Sequence, residues 1–121
     1  MNANIDKPIR AGTCQDLDGI VEEHDRVLAE FYTKGCTLCQ SIEPVLGNVA
    51  RSTDVTVVMI NPETDLSLVD EYDIRSVPTL VLFEDGERVG RLAKGFQGAE
   101  EIIAFVEENA GGSIRSPTDE T

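Results

Sequence analysis

Two cysteines separated by two residues, Cys36 and Cys39 in Gly35-Cys36-Thr37-Leu38-Cys39, are the side chains of this 121-residue sequence best suited to do chemistry. Such a pair serves either metal binding or redox exchange. Its neighbours suggest the latter. Val27-Leu28-Ala29-Glu30-Phe31-Tyr32 reads as a short buried strand, and the segment from Cys36 to about Ala50 carries Leu38, Ile42, Val45, Leu46 and Val49 at helical spacings. The cysteines therefore stand where a strand hands over to a helix. First-turn amides of a helix have no internal partner and carry a partial positive charge, which favours a thiolate over a thiol. Cys36 is predicted to be the exposed nucleophile, with Lys34 adding positive potential nearby. Cys39 lies one turn on, on the same helical face, so its sulfur can close a disulfide with Cys36. The implied chemistry is thiol–disulfide exchange. Cys36 attacks a substrate disulfide, and Cys39 then attacks Cys36 and releases the reduced substrate.

The second step needs a group that takes the Cys39 proton. Glu30 interrupts an apolar strand, where a carboxylate is costly. Buried beneath the cysteines, its pKa would rise and it could serve as that acceptor; on an edge strand it would simply face water. The remaining candidates carry weaker signals. Cys14, ahead of the first helix, reads as a small buried residue, with a regulatory or intermolecular thiol as the alternative. His24, among Glu22, Glu23 and Asp25, reads as a solvated surface residue. Cys14, Cys36, Cys39 and His24 add up to a Cys3His set, enough for tetrahedral zinc by count, although the spacing matches no common zinc pattern.

Those residues need a scaffold. Thr13 or Asp16 can cap a helix to about His24. Pro44 falls inside the helix that begins at Cys36, which predicts a kink rather than an end. Val55-Thr56-Val57-Val58-Met59-Ile60 is a strand closed by Asn61-Pro62, followed by a two-turn helix over Asp65–Tyr72. Thr79–Phe83 and Arg88–Leu92 flank Glu84-Asp85-Gly86-Glu87, a hairpin signal because glycine tolerates positive φ. Gln97–Asn109 is an amphipathic helix. The order α-β-α-β-α-β-β-α predicts an α/β domain with a central mixed sheet of four to five strands, covered by helices on both faces. The domain is placed at residues 13–110, with 1–12 as an N-terminal extension and 111–121 as a flexible tail.

From Leu28 to Val106 the chain resembles the thioredoxin family. The resemblance is carried by Glu30-Phe31, Cys36-Thr37-Leu38-Cys39, Pro44, Tyr72-Asp73-Ile74-Arg75-Ser76-Val77-Pro78-Thr79-Leu80, Phe83-Glu84-Asp85-Gly86-Glu87 and Gly95. It implies the thioredoxin fold and a protein-disulfide reductase cycling Cys36 and Cys39 between dithiol and disulfide, without a bound cofactor. By the same resemblance the Val77–Pro78 bond is cis and lies against the sulfurs. Val77, Pro78 and Gly95 contact an extended substrate segment, and Pro78 keeps metal from the thiols. Glu30 occupies the place of the family's buried aspartate. The partners implied are disulfide-containing client proteins and a thioredoxin reductase as electron donor, with the chain acting as a monomer. The sequence departs from the family in three ways. Thr37-Leu38 replaces Gly-Pro between the cysteines, no tryptophan precedes them, and Met59 stands where many members place a lysine. The competing readings are a metal-binding module on Cys14/Cys36/Cys39/His24 and a redox-inactive adaptor of the same fold.

Ten Lys+Arg against 23 Asp+Glu give a net charge of −13. A surface of that sign repels phosphate backbones and excludes nucleic-acid binding through a basic patch. No stretch reaches the roughly 18 consecutive apolar residues of a membrane helix. The N-terminal residues show no apolar run after Lys7 and Arg10, and with three cysteines this points to the cytoplasm. The acidity is spread over the whole chain, and arginine outnumbers lysine seven to three. Both features are expected of a protein adapted to molar salt, where self-repulsion is screened, and predict a halophilic, archaeal host.

Overall fold

The computed structural model describes residues 7–109. Five strands form one sheet: β1 (Ile9–Ala11), β2 (Arg26–Phe31), β3 (Thr56–Ile60), β4 (Thr79–Glu84) and β5 (Glu87–Leu92). Four helices complete it: α1 (Cys14–Glu23), α2 (Thr37–Ser52), α3 (Ser67–Tyr72) and α4 (Ala99–Asn109). A 3-10 turn covers Pro62–Thr64. The strand order is β1-β3-β2-β4-β5. β3 runs parallel to both β1 and β2, whereas β4 is antiparallel to β2 and to β5. The mixed sheet follows from the connections. Helical crossovers join the parallel strands, and the Asp85-Gly86 turn joins the antiparallel pair. Both turn residues have positive φ, 53° and 86°.

β2 lies at the centre, and five of its six residues are buried. A strand covered on both faces loses the polar–apolar alternation of a half-exposed one. Its alternate side chains feed two separate cores. Leu28, with Val57, Met59, Leu80 and Leu82, packs under α2 and α4. Val27, Ala29 and Phe31 pack with Val58, Ile60, Val81 and Phe83 under α1 and α3. In this second core the Tyr72 ring lies 5.2 Å from Phe31 and 6.0 Å, edge-on, from Phe83. Glu30 shares the side of β2 that carries Leu28, so its carboxyl enters the core beneath α2.

The expected element order lacks β1. Ile9–Ala11 is too short for a periodic signal, and it becomes a strand only by pairing with Val58–Ile60 far along the chain. Thr13, one of the two caps expected for α1, fills that role: its hydroxyl accepts from the Asp16 amide at 3.1 Å. Pro44 sits inside α2 without ending it. The short helix begins two residues later than predicted. Asp65 caps it from outside, accepting from the Ser67 amide at 3.2 Å. The sequence reading of 111–121 as a flexible tail, and residues 1–6 of the expected N-terminal extension, lie outside the described residues.

Candidate active site

Register places the functional loops together. At the end of β2, Phe31 is paired with Ile60, the end of β3, and with Thr79, the start of β4. Leu80 is paired with Leu92, the end of β5. The Cys36 loop, the Val77–Pro78 loop and the Gly95 loop therefore all leave the sheet at one end.

The chain turns there through Gly35, whose φ of +80° is open to glycine at little cost. Cys36 then caps α2. Its Sγ accepts from the Cys39 amide at 3.1 Å, and its carbonyl accepts from the Gln40 amide at 3.1 Å. The amide aimed at Cys36 Sγ is one of the unpaired donors that every helix start leaves over. Cys36 is half-exposed and Cys39 buried. The two form a disulfide, with a Cα–Cα distance of 5.2 Å. The exposed and the buried sulfur thus occupy the positions a nucleophile and a resolving group require.

Glu30 lies in β2, on the strand that leads into this loop, one residue before its end. It has no exposed surface, and neither carboxylate oxygen has a hydrogen-bond partner among the described residues. Its pKa is pushed up from 4.5 to about 8, first by burial, then by the charge of Glu43, with Arg10 opposing. A carboxyl poised near neutrality can gain or lose a proton at small cost, as acid–base chemistry demands. The edge-strand alternative for Glu30 does not hold, since β2 is flanked by β3 and β4.

The Val77–Pro78 bond is cis. Pro78 is buried and Val77 half-buried, while the Thr79 hydroxyl donates to the Ser76 carbonyl at 2.6 Å. Gly95 has φ +84°, and a Cβ placed there would lie 3.5 Å from Leu38 Cδ1. Gly95 and Leu38, one of the two residues between the cysteines, are thus close neighbours. Leu38 and Phe96, each 48% exposed, give this end of the molecule an apolar surface.

Cys14 and His24 are not part of this assembly. They sit at the start and just past the end of α1, a helix of ten residues and so about 15 Å long. Cys14 is half-buried against the core under α1 and α3. Its amide donates to Asp65 at 2.9 Å, and its thiol is pushed up by burial and by Asp18, Asp65 and Glu71, with Arg88 opposing. The Cys3His reading is corrected by this geometry: among the described residues no three His, Cys, Asp or Glu side chains cluster as metal ligands. His24, expected to be solvated, is half-buried at the end of α1.

Sequence reasoning missed Arg10, Tyr32 and Glu43, which meet beside Glu30. Arg10 binds Glu43 at 2.6 Å and donates to the Tyr32 hydroxyl at 3.2 Å. They come from β1, from the residue after β2 and from α2, so no local pattern announces them.

A disulfide centre at the head of a helix, at the same end of a five-stranded mixed sheet as a cis-proline loop, defines a class of redox protein. The Thioredoxin family profile matches residues 11–108. Thioredoxin 1 of Synechococcus elongatus is 38% identical over 72 residues, covering 58% of this chain and 67% of the relative. Thioredoxin of Chlamydia pneumoniae is 32% identical over 85 residues, covering 69% and 82%. Among solved structures, a point-mutant thioredoxin from Halobacterium salinarum matches with a TM-score of 0.85 and 35% identity over 93% of this chain and 98% of its own. The chain belongs to the thioredoxin family. It is a thiol–disulfide oxidoreductase, and the Cys36–Cys39 disulfide occupies the active-site position. That supports redox catalysis over the metal-binding and adaptor readings.

Proposed function

We propose that this protein reduces the disulfides of client proteins, with Cys36 as nucleophile, Cys39 as resolving thiol and Glu30 as proton acceptor. The Cys39 amide at 3.1 Å from Cys36 Sγ carries the assignment, because a donor aimed at that sulfur favours its anion. In the reduced protein the Cys36 thiolate attacks one sulfur of the client disulfide. The client's other sulfur leaves as a thiolate and takes a proton. Glu30 accepts the Cys39 proton, and the Cys39 thiolate attacks Cys36 and expels the second client sulfur. The expelled thiolate takes up the proton held by Glu30, the other client thiolate takes its proton from solvent, and two electrons pass to the client as the Cys36–Cys39 disulfide remains. The Val77 backbone, Pro78 and Gly95 receive the client segment, aided by the apolar surface of Leu38 and Phe96.

A thioredoxin reductase returns the disulfide to the dithiol, and the chain acts as a monomer in the cytoplasm of a halophilic archaeon. The net charge of −13, the excess of arginine over lysine and the likeness to a Halobacterium protein support that host. The domain is residues 13–110 together with β1. Insulin reduction by dithiothreitol tests the roles. The wild type accelerates it, Cys36→Ser abolishes the acceleration, and Cys39→Ser traps a mixed disulfide with the client. Acceleration that survives Cys36→Ser refutes the assignment.

A further inference from the structure

A carboxyl group with no hydrogen-bond partner is costly in a sheet core, so the charges around it decide what it does. β3 and β4 supply none at the paired positions, where Glu30 meets Met59 and Leu80. α2 lies over the same face and carries Cys39 and, one turn later, Glu43. β1 carries Arg10, which binds Glu43 at 2.6 Å and donates to the Tyr32 hydroxyl at 3.2 Å, with its guanidinium 5.6 Å from the Tyr32 ring centre. Tyr32 lies two residues beyond Glu30, on the same side of the strand. Tyr32, Cys39, Glu43 and Met59 line a cleft of about 310 Å³, with Lys34 on its wall. The resolving cysteine lines this cleft, and two of its other lining residues are the register partner and the same-face neighbour of Glu30.

We propose that the Arg10–Glu43 ion pair, anchored on Tyr32 beside this cleft, tunes the protonation of Glu30. Arg10 and Glu43 are then positioning residues for the resolving step, an inference that rests on Glu30 being the proton acceptor. Glu43 repels the second negative charge and keeps the proton on Glu30. Arg10 draws it off directly, and it also neutralises part of the Glu43 charge. The two side chains oppose each other at the carboxyl, as the directions of their effects on its pKa show. Their pairing holds those opposing influences in balance. Removing Glu43 leaves Arg10 unopposed, and removing Arg10 leaves Glu43 unopposed, so the two deletions must act in opposite senses. Both side chains are about half exposed, so dissolved salt weakens their influence.

The test is a titration of the Glu30 carboxyl carbon by 13C NMR, in the lowest KCl concentration that keeps the protein folded by circular dichroism. Glu43→Gln is expected to lower the midpoint and Arg10→Met to raise it, each by about half a pH unit, the size of a Coulomb effect across a partly solvated gap. Arg10→Lys keeps the charge and returns the midpoint towards the wild-type value. A midpoint unmoved in both deletions, or moved in the same direction by both, overturns the proposal. The pH dependence of mixed-disulfide resolution in the same variants separates the two readings. If the NMR midpoints diverge and the rate profile also follows them, both readings hold. If the NMR midpoints diverge while the rate profile stays fixed, the ion pair still tunes Glu30, and Glu30 loses its role as proton acceptor.

Discussion

Replacing Glu30 with Gln isolates the cost of burying an acid in this core. The unfolded chain releases the Glu30 proton near pH 4.5, whereas the folded protein keeps it to about pH 8. Between those values the folded state binds more protons than the unfolded state, so stability falls as pH rises through that window. Below pH 4.5 the residue is neutral in both states, and above about pH 8 it is charged in both, so the penalty is absent at one end and complete at the other. At about 1.4 kcal/mol per pH unit, the full penalty is about 5 kcal/mol. Glutamine has nearly the same shape and does not ionise. Glu30→Gln should therefore match the wild type closely near pH 4.5 and become progressively more stable relative to it as the pH rises, with the gap levelling off above about pH 8. Urea unfolding at fixed KCl and a series of pH values measures that gap. Parallel stability profiles for the two proteins refute the reasoning, because they require Glu30 to ionise alike in the folded and unfolded chains. The same substitution should slow turnover, coupling a gain in stability to a loss of function, as is common where a site holds an unfavourable group.

Two further outcomes test other parts of the account. Thermal melting in graded KCl should show the melting temperature rising from low to molar salt as repulsion among the 23 acidic residues is screened, and an unchanged melting temperature counts against adaptation to salt. Gly95→Ala forces a Cβ into a left-handed backbone 3.5 Å from Leu38 Cδ1, which should cost about 1 kcal/mol in urea unfolding and raise KM for insulin more than it lowers kcat. Equal stability of the two proteins contradicts the strain argument.

The features legible in the sequence are those set by short-range chemistry. β2, α2 and the Asp85-Gly86 hairpin each carry their own apolar period or turn residues, and Thr13 announces the start of α1. The placing of Cys36 and Cys39 at a strand–helix junction followed from those elements alone. The cis Val77–Pro78 bond came instead from the family resemblance, since nothing in an isolated Val-Pro pair selects that isomer. β1 was not legible. Three residues hold strand conformation there because β3 offers an open edge, and that edge exists only once the sheet has formed. Arg10, Tyr32 and Glu43 were hidden for the same reason: their meeting depends on the order in which β1, β3 and β2 lie side by side. Glu30 is intermediate. Its conflict with the strand pattern was visible, but the absence of a partner for its oxygens emerged only from the packed core.

Because Cys36 closes the first turn of α2 with its own sulfur, the reagent is also a structural fastening. When that sulfur is a thiolate, the Cys39 amide meets an anion, and the hydrogen bond has the added strength of charge. Once the sulfur is spent in a disulfide, the amide faces a neutral and much poorer acceptor. Each two-electron exchange therefore weakens or strengthens the hydrogen bond that fastens the start of the helix on which Leu38 is displayed. A client meets the stronger of these two fastenings before it is reduced and leaves the weaker one behind.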